Sequence, residues 1–198
     1  NSVADFRGLR VRMPGLGGDV IRAMGGAAVA LSGGEIYQAL QSGAIDATEW
    51  VGPWNDMAFG FYREAPFYYG PGFHEPGSAL AVGINRGVWD SLPSDQQAIV
   101  KAACRAANNQ SIAEFTHQNG LALQTLVEQH GVQLRTFSDE IWREMGRVSE
   151  EVVANSANAD AITRRVYDSY IASRRRSREW ANVSETPYLQ KRELVLGG

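Results

Sequence analysis

Cysteine occurs once in these 198 residues, at Cys104. A single thiol excludes an internal disulfide framework and a cysteine-rich zinc site. Lysine is nearly missing: of 19 basic residues only Lys101 and Lys191 are lysine. We read this as coding bias, with a lean toward fork-type pairing of arginine with carboxylates. No excess of one charge exists, because 19 basic residues face 22 acidic ones. The net charge of −3 gives no general electrostatic reason to bind nucleic acid. No apolar run approaches the ~18 residues that a membrane-crossing helix needs. The first residues, Asn1-Ser2-Val3-Ala4-Asp5-Phe6-Arg7-Gly8, lack the charged and apolar regions of a signal peptide. Either the protein is cytosolic or something has been removed from this end.

Familiar catalytic patterns are also missing. Ala30-Leu31-Ser32-Gly33-Gly34 lacks the first glycine of a nucleophile elbow. His74, His117 and His130 are scattered, without zinc-type spacing. Gly15-Leu16-Gly17-Gly18 has neither the lysine of a P-loop nor the spacing of a dinucleotide fingerprint, so it reads as a strand-to-helix turn. Cys104, beside Ala103 and Ala107 in a helical run, reads as a buried packing thiol. Arg174-Arg175-Arg176-Ser177-Arg178 reads as a solvated helix face.

What is present is a globular composition, 44% hydrophobic and 21% charged. At this size one domain, or two small ones, buries a core. Leu9, Val11 and Met13 alternate with Arg10 and Arg12 as in a half-buried strand. A short helix over 19–24, a strand over 27–31, a helix over 34–41 and a strand over 44–50 follow. Ser32 and Glu35 form the capping box of the second helix. Residues 8–50 thus read as a β-α-β-α-β unit of an α/β sheet. Residues 51–93 are rich in aromatics, glycine and proline, with strands expected at 65–69 and 78–84 and a short helix at 85–92. A long helix is expected from an N-cap at Ser94, boxed by Gln97, to His130, with Gly131 as its C-terminal glycine. At ~1.5 Å per residue it is about 50 Å long, enough to cross two domains or join a bundle. A strand over 132–137, a helix capped by Ser138, a helix over 160–180 and a last one over 186–196 complete the reading.

Ligands of open α/β sheets bind at the carboxyl ends of strands. Arg12 sits at such an end, where a guanidinium can hold a small carboxylate through two parallel hydrogen bonds. The alternative is a surface strand arginine like Arg10. Glu49 and Trp50 end another strand of the same unit. With the loop Val51-Gly52-Pro53-Trp54-Asn55-Asp56 they could supply oxygen ligands to a hard cation, against the plainer reading of a solvated or paired glutamate. Phe73-His74-Glu75-Pro76-Gly77 is a second polar cluster, or simply an aromatic-rich turn.

Three stretches resemble one family. Asp5-Phe6-Arg7-Gly8-Leu9-Arg10-Val11-Arg12-Met13-Pro14-Gly15 resembles the strand-and-turn motif of substrate-binding proteins of tripartite ATP-independent periplasmic (TRAP) transporters. Leu40-Gln41-Ser42-Gly43-Ala44-Ile45-Asp46-Ala47 resembles its second signature. Thr48-Glu49-Trp50-Val51-Gly52-Pro53-Trp54-Asn55-Asp56 and Tyr69-Gly70-Pro71-Gly72-Phe73-His74-Glu75-Pro76-Gly77 resemble the branch that binds 2-oxo acids such as pyruvate. The similarity covers most of residues 5–130.

The resemblance implies an α/β, periplasmic-binding-protein-like two-lobe fold, here partial, with mixed sheets and a long lobe-spanning helix. It assigns 1–53 and 121–198 to a C-terminal-type lobe with tail helices, 54–93 to part of the N-terminal-type lobe and 94–130 to the connecting helix. It implies that Arg12 binds the carboxylate and that Glu49, with the Trp50 carbonyl, binds a bridging cation, Na⁺ or alternatively Ca²⁺. Trp50, Glu75, Asn55 and His74 are implied to line the substrate. It further implies a periplasmic location, membrane permease subunits as partners and no catalysis. Some relatives dimerise by exchanging a C-terminal helix, which would give the tail after Asp160 a role. Relatives carry a further N-terminal segment that supplies a cleft wall and another cation ligand. The chain is therefore expected to be a C-terminal two thirds, its signal peptide lost with the missing piece. Two alternatives stand beside this reading: a small α/β enzyme using Glu49 and Glu75 as an acid-base pair, and a fragment acting only as a dimerisation module.

Overall fold

The alternation of Leu9, Val11 and Met13 with two arginines produces strand β1 (Arg10–Arg12), with Val11 and Met13 buried. The computed structural model describes residues 2–75, 77–78 and 80–196. Helix α1 (Gly15–Ala23) follows β1 directly and starts earlier than the sequence suggests, because the glycine-rich turn is itself helical. Gly18 explains how. A Cβ there would stand 2.3 Å from the Met13 carbonyl oxygen, so only glycine lets the helix begin this close to the strand. Strand β2 (Ala27–Val29), helix α2 (Gly33–Gln41) and the two-residue strand β3 (Ala47–Thr48) complete the first unit. The Glu35 carboxylate accepts from the Ser32 N–H and hydroxyl, as the capping box requires.

The three strands form a parallel sheet in the order β2-β1-β3, with Arg12 opposite Val29 on one side and Thr48 on the other. Their carboxyl ends therefore share one edge. Val20, Ile21 and Met24 of the α1 region are buried, and Ile36, Ile45 and Phe61 form a hydrophobic cluster that Trp50 packs against. Complete burial of Ile36 stabilises the fold by roughly 1.5–3 kcal/mol.

Helix α3 (Pro53–Ala58) begins at a proline, whose missing N–H costs nothing at that position. Strand β4 (Phe67–Tyr69) comes next, then helix α4 (Arg86–Ser91) and helix α5 (Ser94–Glu128). Helix α5 is 35 residues long and passes through Gly120 without a break. Its contact with α3 includes an edge-to-face pair of Trp54 with Phe115, centroids 5.2 Å apart, and a bond from the Trp54 N–H to the Asn119 side chain at 3.0 Å. Gly131, at φ +68°, turns the chain into strand β5 (Gln133–Arg135), which pairs in parallel with β4. Helix α6 (Asp139–Ser156) is capped by Ser138 and buries Ile141, Met145 and Val148 on one face. Helix α7 (Ala161–Ala181) is capped by Asp160, whose carboxylate accepts from the Thr163 N–H at 2.7 Å, and helix α8 (Glu185–Leu196) ends the described chain. The chain divides into two compact units between Gly146 and Arg147.

Three expectations need correction. The segment expected as a strand over 78–84 forms none: Ser78 and 80–84 enter no ladder, while Ala79 lies outside the described residues. Alternation selects a strand only where a neighbouring strand accepts its hydrogen bonds, and Leu80 and Val82 are instead 92% and 70% exposed. Ser94 is not the cap of α5. Pro93 holds that place, and the Gln97 amide donates backwards to the Trp89 and Leu92 carbonyls. Cys104 is exposed rather than packed, as are all of residues 101–110 of α5.

Candidate functional site

Arg12 ends β1 at the carboxyl edge of the sheet and is only 8% exposed. Its Nε donates to the Leu31 carbonyl at 3.1 Å and its Nη1 to the Glu49 carbonyl at 2.9 Å. These acceptors lie just past the ends of β2 and β3, so the parallel topology itself places them around the guanidinium. The Glu49 carboxylate stands 3.4 Å from Nη1, and the Trp50 ring lies 5.0 Å from the guanidinium carbon. Among the described residues Nη2 has no partner. The fork is thus fixed on one side and open on the other.

Glu49 and Trp50 sit one and two residues beyond β3. The Glu49 N–H donates to the Arg12 carbonyl at 3.0 Å, which extends the strand pairing by one bond. The Glu49 carbonyl is occupied by Arg12 and by the Thr48 hydroxyl. The Trp50 carbonyl accepts from no donor among the described residues. The Trp50 indole lies against Gly33 and makes an edge contact with Phe59 at 5.5 Å. Its Nε1 is buried without a hydrogen-bond partner among the described residues, as is Oδ1 of Asn55. Buried polar atoms are normally satisfied, so each of these two is open to a water or ligand partner.

The loop after β4 brings in the second half of the site. Ligand atoms of Glu49, His74 and Glu75 all lie within 4.8 Å of one another. Two oxygens on one Ca²⁺ at 2.3–2.6 Å are separated by at most about 5 Å, so this spacing allows one shared ion. His74 Nε2 is 3.8 Å from the Glu75 carboxylate, and the imidazole rests on Gly17. A Cβ at Gly17 would stand 2.9 Å from His74 Cδ2. The glycine-rich turn therefore makes room for His74 rather than for a phosphate. Pro76 lies outside the described residues.

The sequence reading passes over two residues of this region as individuals. Asp56 of α3 accepts from the Val51 and Gly52 N–H groups at 3.3 and 3.2 Å, and its other oxygen accepts from the Tyr68 hydroxyl at 2.6 Å. The signal for Asp56 was its place in the first turn after Pro53. Tyr68 carries no local signal, since it is one of three aromatics in a row.

Burial raises the carboxyl of Glu49, with Arg12 pulling the other way and Glu75 and Asp56 adding to the rise. Burial raises Asp56 too, opposed by its bonds from Tyr68 and the two backbone groups. The Tyr68 hydroxyl is pushed up by burial and then by Asp56, so it stays a donor. Burial lowers the His74 imidazole, partly offset by Glu75. The donor set is mainly oxygen, and Glu49 is a carboxylate whose charge the fold alone leaves poorly compensated. Such a set suits a hard cation.

The model of the DctP family, described as bacterial extracellular solute-binding protein, family 7, matches residues 1–160. The chain belongs to this family. A curated relative in Nostoc sp., a monocarboxylate 2-oxoacid-binding periplasmic protein, is 41% identical over 187 residues, which is 94% of this chain and 51% of that protein. A TRAP periplasmic solute-binding protein of Colwellia psychrerythraea, solved with bound calcium and pyruvate, superposes with a TM-score of 0.90 at 35% identity. A second, from Pseudoalteromonas atlantica, solved with bound sodium and pyruvate, gives 0.89 at 34% identity. The family 7 chain is covered to 96% in both cases, and each solved chain to 58%. It spans about half the length of the curated relative it matches. Its α/β fold with parallel sheets and a long helix is that of these neighbours.

Proposed function

We propose that this chain carries the carboxylate- and cation-binding side of a periplasmic solute-binding protein for a small 2-oxo monocarboxylate, serving a TRAP-type importer. The observation that supports it most is the Arg12 fork, fixed through Nε and Nη1 and open at Nη2, beside the Glu49 carboxylate and the unengaged Trp50 carbonyl. Arg12 neutralises the carboxylate. Trp50, stacked near the guanidinium and packed on Gly33 and Phe59, shields that pair from water, where a charge-assisted bond is stronger. The Glu49 carboxylate and the Trp50 carbonyl would hold Na⁺ or Ca²⁺, with Glu75 and His74 near enough to contribute. Such an ion supplies positive charge for the oxygens next to the carboxylate. Lobe closure on the bound solute then shifts an open-closed equilibrium that the permease subunits read.

The exposed row Ile162, Val166 and Tyr170 on α7, spaced four residues apart, supports self-association through the C-terminal helices.

Isothermal titration with pyruvate in Na⁺ and in Ca²⁺ tests the reading. Binding that needs one of these ions and is lost in Arg12→Ala is expected. Ion-independent binding, binding that survives Arg12→Ala, or turnover of the acid abolished by Glu49→Gln overturns it.

A further inference from the structure

We infer that Asp56 and Tyr68 act as a clamp that positions the cation- and carboxylate-binding groups, holding the loop after β3 against strand β4. This deepens the reading above and rests on it.

The two halves of the site reach it by separate routes. Glu49 and the Trp50 carbonyl come from the loop after β3, whereas His74 and Glu75 come from the loop after β4. β3 and β4 belong to different sheets, so no strand pairing fixes one loop to the other. Asp56 bridges them. One oxygen accepts from the Val51 and Gly52 N–H groups, the next two residues after Trp50. The other oxygen accepts from the Tyr68 hydroxyl at 2.6 Å, the length of a charge-assisted bond. Tyr68 is the central residue of β4, whose backbone is fixed by pairing with β5. The carboxylate is thus used on both sides, Oδ1 by two backbone groups and Oδ2 by the hydroxyl. Its role is to set where the Trp50 carbonyl and Glu49 stand relative to the loop carrying His74 and Glu75. A displacement of about 1 Å there is enough to spoil a shared ligand geometry.

The test uses the 198-residue chain, with Tyr68→Phe, Asp56→Asn and the double variant, read in two ways. Amide hydrogen exchange of Val51 and Gly52 is measured without ligand, and pyruvate affinity is titrated over a range of Ca²⁺. In Tyr68→Phe we expect exchange to speed up more at these two amides than in the rest of the backbone, pyruvate binding weaker by about tenfold and a higher Ca²⁺ requirement, with a lower melting temperature because a buried carboxylate loses a charge-assisted bond. The double variant is expected to bind no worse than Asp56→Asn, since one interaction is removed twice. Unchanged exchange in Tyr68→Phe overturns the clamp, and so does released exchange with unaltered pyruvate affinity and Ca²⁺ requirement. A parent chain that binds no pyruvate under any ion overturns the function proposed above instead. The exchange data then judge the link between Asp56 and Tyr68 by themselves.

Discussion

The Arg12 guanidinium donates to the backbone carbonyl of Glu49 at 2.9 Å, closer than it stands to the carboxylate of the same residue, at 3.4 Å. Arginine here is first a structural tie between two loops and only then a charge. With its bond to Leu31 it joins the chain after β2 to the chain after β3. Arg12→Lys keeps the charge but offers one ammonium for two acceptors that a planar fork reaches together. We expect Arg12→Lys to destabilise the fold by about 2 kcal/mol, measured by urea denaturation, the scale of a lost hydrogen bond to a charged group. Pyruvate affinity should fall with it. Full stability in the lysine variant contradicts the tie.

Gly17 and Gly18 are adjacent, yet their substitutions should differ in kind. Alanine at 18 meets a backbone carbonyl and has nowhere to go, so Gly18→Ala should cost about 1–3 kcal/mol in thermal or chemical unfolding. Alanine at 17 meets the His74 ring and the Met13 thioether, which can both move. Gly17→Ala should keep its melting temperature and lose ligand affinity, because His74 and Glu75 are pushed off their place. Equal melting losses in the two variants would count against this division.

The acid side of stability should depend on Asp46. Its carboxyl is held below the ordinary value of 3.8 by hydrogen bonds from the Arg10 side chain and backbone. A depressed folded value means that this contribution is complete above the unfolded value and vanishes as pH falls through the folded one. Melting temperature followed from pH 6 down to about pH 2 should therefore drop less steeply in Asp46→Asn than in the parent. Parallel curves would show that the pair adds nothing. The effect is small in either case, since both side chains face solvent.

Cys104 lies exposed on α5. A thiol reagent such as Ellman's should titrate one equivalent in the native state without denaturant. Cys104→Ser should leave stability within about 0.5 kcal/mol of the parent, as for a surface substitution. Reaction only after unfolding would mean that the thiol is covered.

What was legible in the sequence was what depends on neighbours along the chain. The β-α-β-α-β reading of 8–50 holds because periodicity and the Ser32–Glu35 box are local. The parallel order then brings Arg12, Glu49 and Trp50 to one edge without further information. Asp56 and Tyr68 were not legible as a pair, since their meeting depends on where β4 lies, which β5 decides from the far side of a long helix. The strand expected over 78–84 and the packed Cys104 failed for one reason. Alternation and an alanine-rich context say what a segment could pack against, and only the tertiary structure says whether anything is there.

The pairing of β4 with β5 encloses the whole of α4 and α5, whereas in the β2-β1-β3 sheet the β1-β2 pairing encloses only α1 and the β1-β3 pairing only α1, β2 and α2. Loop-closure entropy grows with the enclosed chain, and long-range pairings are slow to form. The Arg12 side of the site is therefore assembled early, from local events. The Tyr68 side, with the loop carrying His74 and Glu75, waits for a pairing that closes a much longer stretch of chain, and the site becomes whole only once that pairing has formed.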